Sequence, residues 1–229
     1  MKTKISILIP CYNESKTIEK VINECKKYLP DATIYVYDNN SNDGTDKIAK
    51  KNGVNVRYVR EQGKGNVVRQ MFKEIDSDCY LMIDGDNTYS LENSRKMINL
   101  VLNEKYDMVI GDRLSSNYFE VNTRRYHNIG NKIIRNLVNK FYKSKINDVC
   151  SGYRVFSNNF VKNFPCLTNG FEIETEMTIY AIKNKLKIKE INVLYQDREE
   201  GSYSKLNTFK DGIRIIYFIM KCYFFKNYN

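Results

Sequence analysis

The first half of the chain alternates short apolar runs with segments whose apolar residues recur at helical spacing. Strands that alternate with helices form right-handed βαβ units, which build a mostly parallel sheet with helices on its faces. We therefore predict an α/β, Rossmann-like fold. The predicted strands are 5–9, 32–38, 54–59, 79–84 and 106–111, and the predicted helices are 15–28, one from about 43–45, 65–75 and 90–103.

Polar residues follow three of these strands directly, in the segments Pro10–Glu14, Asp38–Asp43 and Asp84–Asp86. The carboxyl ends of parallel strands meet at one edge of a sheet, and ligands of open α/β sheets bind there. The three segments are therefore predicted to lie together and to form a binding site.

Two carboxylates, Asp84 and Asp86, end the most apolar of the strands with only Gly85 between them. Paired acids repel each other unless a positive group joins them. A hard divalent cation fits that role, because Mg²⁺ commonly bridges carboxylates and substrate phosphates. Gly85 leaves room for a ligand to approach. The alternative interpretation is a simple Asp-Gly turn.

The net charge of the chain is +10, with 37 Lys and Arg against 27 Asp and Glu among 229 residues. This excess favours an anionic partner: a nucleic acid, an anionic membrane surface or a phosphorylated substrate. The six cysteines form no C-x-x-C pair, which is typical of reduced thiols in the cytoplasm. The apolar run at the start is too short for a signal peptide, and no segment approaches the roughly 18 apolar residues of a membrane span.

Seven motifs occur in order and with compatible spacing: SILIPCYNES, VYDNNSNDGT, GKGNVVR, LMIDGDN, DVCSGYRVFS, GFEIETEM and DREEGSYSKLNT. Together they resemble the inverting family 2 glycosyltransferases of the GT-A fold, and within them the polyprenol-phosphate sugar synthases, such as dolichyl-phosphate mannose and glucose synthases. The resemblance implies transfer of a hexose from a GDP- or UDP-hexose to a polyprenyl (dolichyl or undecaprenyl) phosphate with Mg²⁺ or Mn²⁺. It also implies a GT-A domain over 1–207, with a nucleotide-sugar half (1–112) and an acceptor half (113–207), and a C-terminal amphipathic helix over 208–229.

The resemblance assigns the donor site to the first half. Asp84 lies near the ribose and the metal, and Asp86 binds the metal. Some mannose synthases have a Gln ligand where this chain has Thr88, so a different donor or a water is expected there. Asp43 is alternatively a helix N-cap. The matched nucleotide-sugar positions are Pro10, Tyr12, Glu14, Val36, Asp38, Asp43, Lys64, Arg69, Asp84 and Gly85.

Basic residues in the resemblance meet phosphates. Lys64 and Arg69 are candidates for the donor, although Gly63 and Gly65 around Lys64 alternatively make only a turn. Arg198 and Lys205 belong to a loop that folds over the donor diphosphate, and which of them meets which phosphate is left open. The remaining candidates are Arg113 near the sugar phosphate and Arg124 and Arg125 at the acceptor phosphate, where a solvated basic loop is the alternative.

Three glutamates, Glu172, Glu174 and Glu176, are candidates for a general base. A sugar hydroxyl acceptor needs such a base, whereas a polyprenyl phosphate is already an anion. The resemblance therefore predicts that none of them is an essential proton acceptor, and that Glu174 contacts the sugar or pairs with an arginine. The lone His127 is interpreted as a loop residue.

The C-terminal segment places Lys210, Arg214 and Lys221 on one stripe of an otherwise apolar helix. This pattern is typical of a helix in the interface of an anionic bilayer, and the alternative is a helix docked on the core. We expect a cytoplasmic protein peripherally associated with the inner face of the membrane.

Three other functions compete with this interpretation. One is a glycosyltransferase that acts on a sugar hydroxyl in cell-surface polysaccharide synthesis. A sugar nucleotidyltransferase would need a glycine-rich loop after the first strand, where this chain has PCYNES. A basic nucleic-acid-binding protein is compatible with the 18 tyrosines but leaves the acids at three strand ends unexplained, so no nucleic-acid partner is expected.

Overall fold

The computed structural model describes residues 3–122 and 125–225. They contain one seven-stranded sheet in the order β3-β2-β1-β4-β6-β5-β7. All neighbouring strands are parallel except β6, which runs antiparallel between β4 and β5. The strands are β1 (Ile5–Cys11), β2 (Thr33–Asp38), β3 (Asn55–Tyr58), β4 (Cys79–Met82), β5 (Met108–Asp112), β6 (Arg154–Ser157) and β7 (Ile188–Asn192).

Helices cover both faces of this sheet. Apolar side chains of β1 alternate between the faces, so that Ile7 and Ile9 join one core cluster while Leu8 joins the other. The helices are α1 (Ile18–Tyr28), α2 (Thr45–Lys51), α3 (Lys64–Glu74), α4 (Ser94–Leu102), α5 (Tyr118–Val121), α6 (Arg125–Tyr142), α7 (Asn158–Asn163), α8 (Ile173–Lys183) and α9 (Thr208–Phe224).

The α/β architecture and the predicted strands of the first half are confirmed, with shifts at some ends. Two predicted helices begin too early. Residues 15–17 form a turn in which Thr17 and Ile18 donate to the carbonyl of Glu14, so α1 starts at Ile18. The second helix was predicted to begin at residue 90. The backbone N–H of Ser90 donates to the carbonyl of Leu194, outside the helix, and α4 starts at Ser94.

The C-terminal helix α9 packs on the core, as the alternative interpretation predicted. Ile215, Phe218 and Ile219 are buried in the cluster that also contains α3 and α8 residues. In the predicted cationic stripe, Arg214 is paired with Glu172 at 2.8 Å. Within the described part of the chain, no helix has the length and apolar character needed to cross a bilayer.

Candidate active site

The segments that follow β1, β2 and β4 meet at one edge of the sheet, as predicted. Asn13 N donates to Ser41 Oγ (2.9 Å) and Asn42 N donates to Asn13 Oδ1 (2.9 Å), which joins the segments after β1 and β2, and Thr17 Oγ1 donates to the carbonyl of Gly85 after β4 (2.7 Å). Each segment contains one asparagine in the left-handed region, where the backbone reverses direction: Asn13 (φ 54°), Asn40 (φ 64°) and Asn87 (φ 58°). Asparagine tolerates this conformation better than most residues, which explains its use in all three turns.

A cavity of about 370 Å³ opens at this edge. One end is lined by Pro10, Tyr12, Asn39 and Gln62 from the first two turns and the loop before α3. The middle is lined by charged residues. The far end is walled by α6 and α9. Its volume lies within the range of small-molecule sites. The charged lining residues are Glu14, Lys64, Asp84, Asp86, Arg113, Glu174, Arg198 and Lys205.

Basic side chains of the protein neutralise the two carboxylates after β4. Lys64 Nζ lies 2.5 Å from Asp84 Oδ1 and 2.6 Å from Glu174 Oε1. A guanidinium nitrogen of Arg198 contacts Asp86 Oδ2. Thr88 Oγ1 donates to Asp86 Oδ1 at 2.8 Å and orients it. The expected repulsion between the two acids is therefore offset within the protein itself, and the simple-turn interpretation leaves these partners unexplained.

The loop after β7 lies over the site and is tied down at several points. Lys205 Nζ pairs with Glu14 Oε1 (2.7 Å) and donates to the carbonyl of Asn13 (2.7 Å). Glu199 pairs with Lys20 on α1 (2.7 Å). Burial raises the pKa of Glu14 to about 7, although the hydrogen bond and the charge of Lys205 act against that rise. The resemblance predicted that Arg198 and Lys205 reach the same site, and they do.

Lys64 is positioned by the close packing of α3 against residues 168–169. A Cβ on Gly65 would overlap the carbonyl of Thr168, and a Cβ on Gly63 would overlap that of Asn169. The glycines on either side of Lys64 therefore allow α3 to pack closely against residues 168–169, in addition to allowing the turn before the helix. Burial lowers the pKa of Lys64, but the charges of Asp84 and Glu174 beside it raise the pKa by more than burial lowers it. The pKa of Lys64 therefore lies above its ordinary value. The ammonium therefore stays charged in the cavity.

Arg113 is held rigidly in the cavity wall. Its Nε and Nη2 donate to Asp148 at 2.8 and 2.9 Å, and its guanidinium lies over the rings of Tyr89 and Tyr118. Burial lowers its pKa, the charge of Asp148 raises it, and the net direction is upward. Asp148 therefore neutralises much of the positive charge of Arg113, the residue that the resemblance places near the sugar phosphate.

Several predicted site residues do not line the cavity. Arg69 donates to the carbonyls of Cys166 and Thr168 instead, which fixes the loop under Lys64. Val36 is buried within the sheet. Asp38 is 2% exposed, accepts from Ser41 N, and has no partner for Oδ1 among the described residues.

Asp43 accepts from Ser15 N (2.9 Å) and from Thr45, and so joins two turns. Burial raises the pKa of Asp43, but the hydrogen bonds from Thr45 and Ser15 outweigh it and lower the pKa overall. The helix it precedes has Gly44 at its N-cap. Arg124 lies outside the described residues. Arg125 is the first residue of α6.

Sequence reasoning missed the far wall of the cavity. Its residues come from α6 and α9, and α6 was not predicted. His127 lies on α6 and lines the cavity, so the prediction of a loop residue was wrong. The helical spacing of Ile133, Ile134, Leu137 and Val138 was a usable signal for α6.

The three glutamates that were candidates for a general base all have partners. Glu172 pairs with Arg214, and Glu174 pairs with Lys64 rather than with an arginine. Glu176 accepts from the backbone N–H groups of Leu167 and Thr168 at 2.6 and 2.8 Å. Burial raises the pKa of Glu174, and the charge of Lys64 opposes that rise.

The donor set at Asp84 and Asp86 fits a hard divalent cation. Both carboxylates line the cavity, and carboxylate oxygen is the ligand type that Mg²⁺ and Mn²⁺ prefer. In the described residues no three His, Cys, Asp or Glu side chains group into a cage of protein ligands alone. One or two carboxylates suffice where substrate phosphates and water complete the shell. Arg198 must leave Asp86 Oδ2 for that oxygen to bind a metal.

Similar proteins of known fold place this geometry in context. The structure of glucosyl-3-phosphoglycerate synthase from Mycobacterium tuberculosis with phosphoglyceric acid aligns with a TM-score of 0.77 at 19% identity, over 96% of this chain and 80% of that one. The same enzyme has been solved with Mn²⁺, UDP-glucose and phosphoglyceric acid, and that complex aligns with a TM-score of 0.70 at 20% identity, over 86% and 73%. At these identities the likeness establishes the GT-A-like fold.

Proteins with similar sequences identify the family of this chain. The glycosyltransferase AglJ of Haloferax volcanii is 35% identical over 211 residues, which cover 91% of this chain and 68% of AglJ. A dolichyl-phosphate hexose transferase of the same organism is 25% identical over 92% of this chain and 90% of its own length. The model of the family "Glycosyl transferase family 2" matches residues 6–164, which include the three turns, Lys64 and both aspartates after β4. The chain therefore belongs to glycosyltransferase family 2.

Proposed function

We propose that this glycosyltransferase moves a hexose from a nucleoside-diphosphate sugar, GDP- or UDP-linked, to a polyprenyl phosphate, with inversion at the anomeric carbon. One observation carries the proposal: each carboxylate that lines the described cavity is ion-paired with a lysine or arginine. An acceptor hydroxyl needs a base to remove its proton, whereas an anionic phosphate oxygen needs none. The relative named as a dolichyl-phosphate hexose transferase supports the same acceptor class.

The donor is proposed to lie along the sheet edge. Its nucleoside occupies the end lined by Pro10, Tyr12, Asn39 and Gln62, and its diphosphate reaches the charged middle of the cavity. Arg198 and Lys205 supply positive charge there from the loop after β7. Asp86 and Asp84 would hold a divalent metal, which when bound would supply positive charge for the leaving diphosphate.

The acceptor phosphate is proposed to enter from the side of α6. Its oxygen attacks the anomeric carbon on the face opposite the leaving group, so that a new carbon–oxygen bond forms as the bond to the diphosphate breaks. The nucleoside diphosphate leaves with the electron pair of the broken bond. Lys64, buried between Asp84 and Glu174, keeps a fixed positive charge beside the reacting centre. Catalysis then rests on positioning and charge stabilisation, with no proton transfer from the acceptor.

A peripheral position on an anionic membrane is part of the proposal, because the acceptor is a lipid. The support comes from the surface of α6 and α9, which exposes Tyr126, Ile129, Ile133, Phe209, Ile213 and Tyr217. We define these six residues as the apolar stripe. Tyr126 and Phe209 are in ring contact at 5.8 Å, so that both helices contribute to one surface.

A donor and acceptor screen tests the proposal. Purified protein is incubated with radiolabelled UDP- and GDP-hexoses, Mg²⁺ or Mn²⁺, and either short polyprenyl phosphates or oligosaccharides with free hydroxyls. We expect transfer to the lipid phosphate and loss of that transfer in EDTA. Transfer to an oligosaccharide alone would replace the proposal with a hydroxyl acceptor.

A further inference from the structure

The far wall of the cavity is built from one face of each of two helices. On α6 the lining residues are His127, Gly130, Asn131 and Ile134, at the spacing of a single helix face. On α9 they are Thr208, Gly212 and Ile215, again on one face. Ile134 and Ile215 are 5% and 3% exposed, so that the wall is apolar where the two helices meet.

Three contacts fix how these two helices lie. Near their starts, the rings of Tyr126 and Phe209 are 5.8 Å apart. Near their ends, Phe141 stacks on Tyr223 at 4.6 Å, and Tyr142 Oη donates to the carbonyl of Ile219. The helices therefore run side by side in the same direction. Gly130 and Gly212 follow the first contact by about one turn each, which places the two glycines at the same level.

These two glycines have no packing reason to be glycine. Apart from the backbone of its own helix, a Cβ on either would meet no atom of the described residues within 4 Å. Elsewhere in the molecule, a Cβ on Gly65, Gly111 or Gly152 would overlap a neighbouring group. Glycine weakens a helix interior relative to alanine. Two helices therefore each contain an unfavourable residue whose only effect in the structure is open space beside the cavity.

We infer that Gly130 and Gly212 form a passage between α6 and α9 through which the hydrocarbon chain of the acceptor leaves the active site. This inference rests on the proposed function and names the residues that select the acceptor. The passage starts at the cavity that holds Asp84 and Asp86, is walled by Ile134 and Ile215, and lies beside the apolar stripe on the outer surface of the same helices. A phosphate at the charged middle of the cavity and a chain in the apolar gap together match a lipid phosphate.

Leucine substitutions test the passage. Gly130→Leu and Gly212→Leu fill the open space, and both raise helix propensity, so that the fold is expected to persist in thermal melting. We expect kcat/KM for a long polyprenyl phosphate to fall by about tenfold or more, because a bulky side chain blocks the chain but not the phosphate. Nucleotide affinity is expected to stay at the wild-type level, because the nucleoside is proposed to lie at the other end of the cavity. The alanine variants add one methyl group each and should have smaller effects.

Two controls make the result specific. Asn136→Leu places the same side chain on the exposed side of α6, away from the cavity, and should leave the use of long acceptors unchanged. A polyprenyl phosphate with a benzophenone in its chain should crosslink wild-type protein on peptides of both α6 and α9. Crosslinks on other elements, or leucine variants that use long acceptors as well as wild type does, would overturn the passage.

The outcome also separates this inference from the proposed function. If wild-type protein transfers sugar to lipid phosphates but the leucine variants do so equally well, the passage is wrong and the function stands. If wild-type protein neither binds nor glycosylates any lipid phosphate, the function fails, and the passage fails with it.

Discussion

At the scale of single residues, the site is a set of acids that already have basic partners. Asp84 has Lys64, Asp86 has Arg198, and Glu14 has Lys205. Buried or partly buried charges without such partners would carry a large desolvation cost. The sequence indicates the acids at the strand ends, because they follow apolar runs directly. It does not indicate the pairings, since Arg198 and Lys205 are more than 100 residues away along the chain.

The Arg198–Asp86 contact leads to a prediction about metal binding. In the absence of nucleotide we expect Mn²⁺ to bind weakly, because Arg198 competes with it for Asp86. Electron paramagnetic resonance of free Mn²⁺ measures this affinity. Arg198→Gln should tighten that binding by about tenfold, which corresponds to roughly 1.4 kcal/mol. Lys20→Gln is the matched control, because it loosens the same loop at Glu199 without freeing Asp86. Equal Mn²⁺ affinity in the Arg198 variant and wild type would contradict the competition.

Removing the acid itself gives the complementary prediction. Asp86→Asn keeps the shape and the bond from Thr88 but removes the charge that a metal and Arg198 both need. We expect sugar transfer to fall by about 100-fold or more, because the leaving diphosphate loses its charge stabilisation. Asp86 is 5% exposed, so a modest loss of stability should accompany this change. Near wild-type turnover, or activity that persists in EDTA, would rule out the metal.

Glu14 leads to a prediction about pH. Its pKa is about 7 in the folded protein against an ordinary value of 4.5, chiefly because it is buried. The folded state therefore holds the proton more tightly than the unfolded state, and the associated stability is present at pH 4.5 and lost as the pH rises through 7. The difference corresponds to roughly 3 kcal/mol at most. Denaturant unfolding of wild type and Glu14→Gln should show the variant gaining relative stability between pH 5 and pH 8. A constant difference across that range would show that Glu14 titrates normally.

At the scale of elements, α3 shows what a local motif predicts and what it leaves open. Gly63–Gly65 predicts a turn and a helix start near Lys64, and both are present. The packing partner is not readable from the sequence, because Thr168 and Asn169 lie about 100 residues downstream. The same limit applies to β6, whose antiparallel insertion between β4 and β5 depends on tertiary packing rather than on the apolar pattern. Strands that alternate with helices were predicted well, because β1, β4 and β5 are apolar runs that are buried on both faces of the sheet. The edge strand β3 is mostly exposed and was predicted without that signal.

Glycines in two helices should respond in opposite ways to the same substitution. Gly65→Ala places a methyl group against the Thr168 carbonyl, and we expect a loss of about 1–3 kcal/mol of unfolding free energy as α3 shifts. Gly130→Ala adds a methyl group in open space and should gain about 0.5–1 kcal/mol. Chemical denaturation measures both. A Gly65→Ala variant as stable as wild type would mean that residues 168–169 do not hold α3 in place.

At the scale of the whole molecule, the positive charge and the apolar stripe are both proposed to bind an anionic membrane surface. The chain has a net charge of +10, and the stripe lies on α6 and α9 at the far wall of the cavity. A cation near an anionic surface contributes about 1 kcal/mol. Apolar side chains at the boundary add roughly 25 cal/mol per Å² of buried area. We expect these contributions to suffice for reversible binding, and we propose that the mouth of the cavity faces the lipid.

Vesicle sedimentation tests this orientation. The protein should sediment with vesicles that contain phosphatidylglycerol, and high salt should release part of it because screening weakens the charge attraction. Truncation of α9 is unsuitable, because it removes Ile215, Phe218 and Ile219 from the core. The combined change Phe209→Ser, Ile213→Ser and Tyr217→Ser affects only side chains that are 66–69% exposed and should abolish sedimentation without lowering the melting temperature.

The matched control for that variant is Leu194→Ser, which removes an apolar side chain that is 52% exposed but lies on neither helix. It should sediment as wild type does, because it takes nothing from the stripe. Equal sedimentation of the triple variant and wild type would show that charge alone binds the protein and that α6 and α9 do not face the lipid. Since the acceptor chain is proposed to leave between these helices, the triple variant should also lose activity on vesicle-embedded acceptors while keeping it on acceptors dispersed in detergent. Loss of both activities would instead indicate damage to the cavity wall.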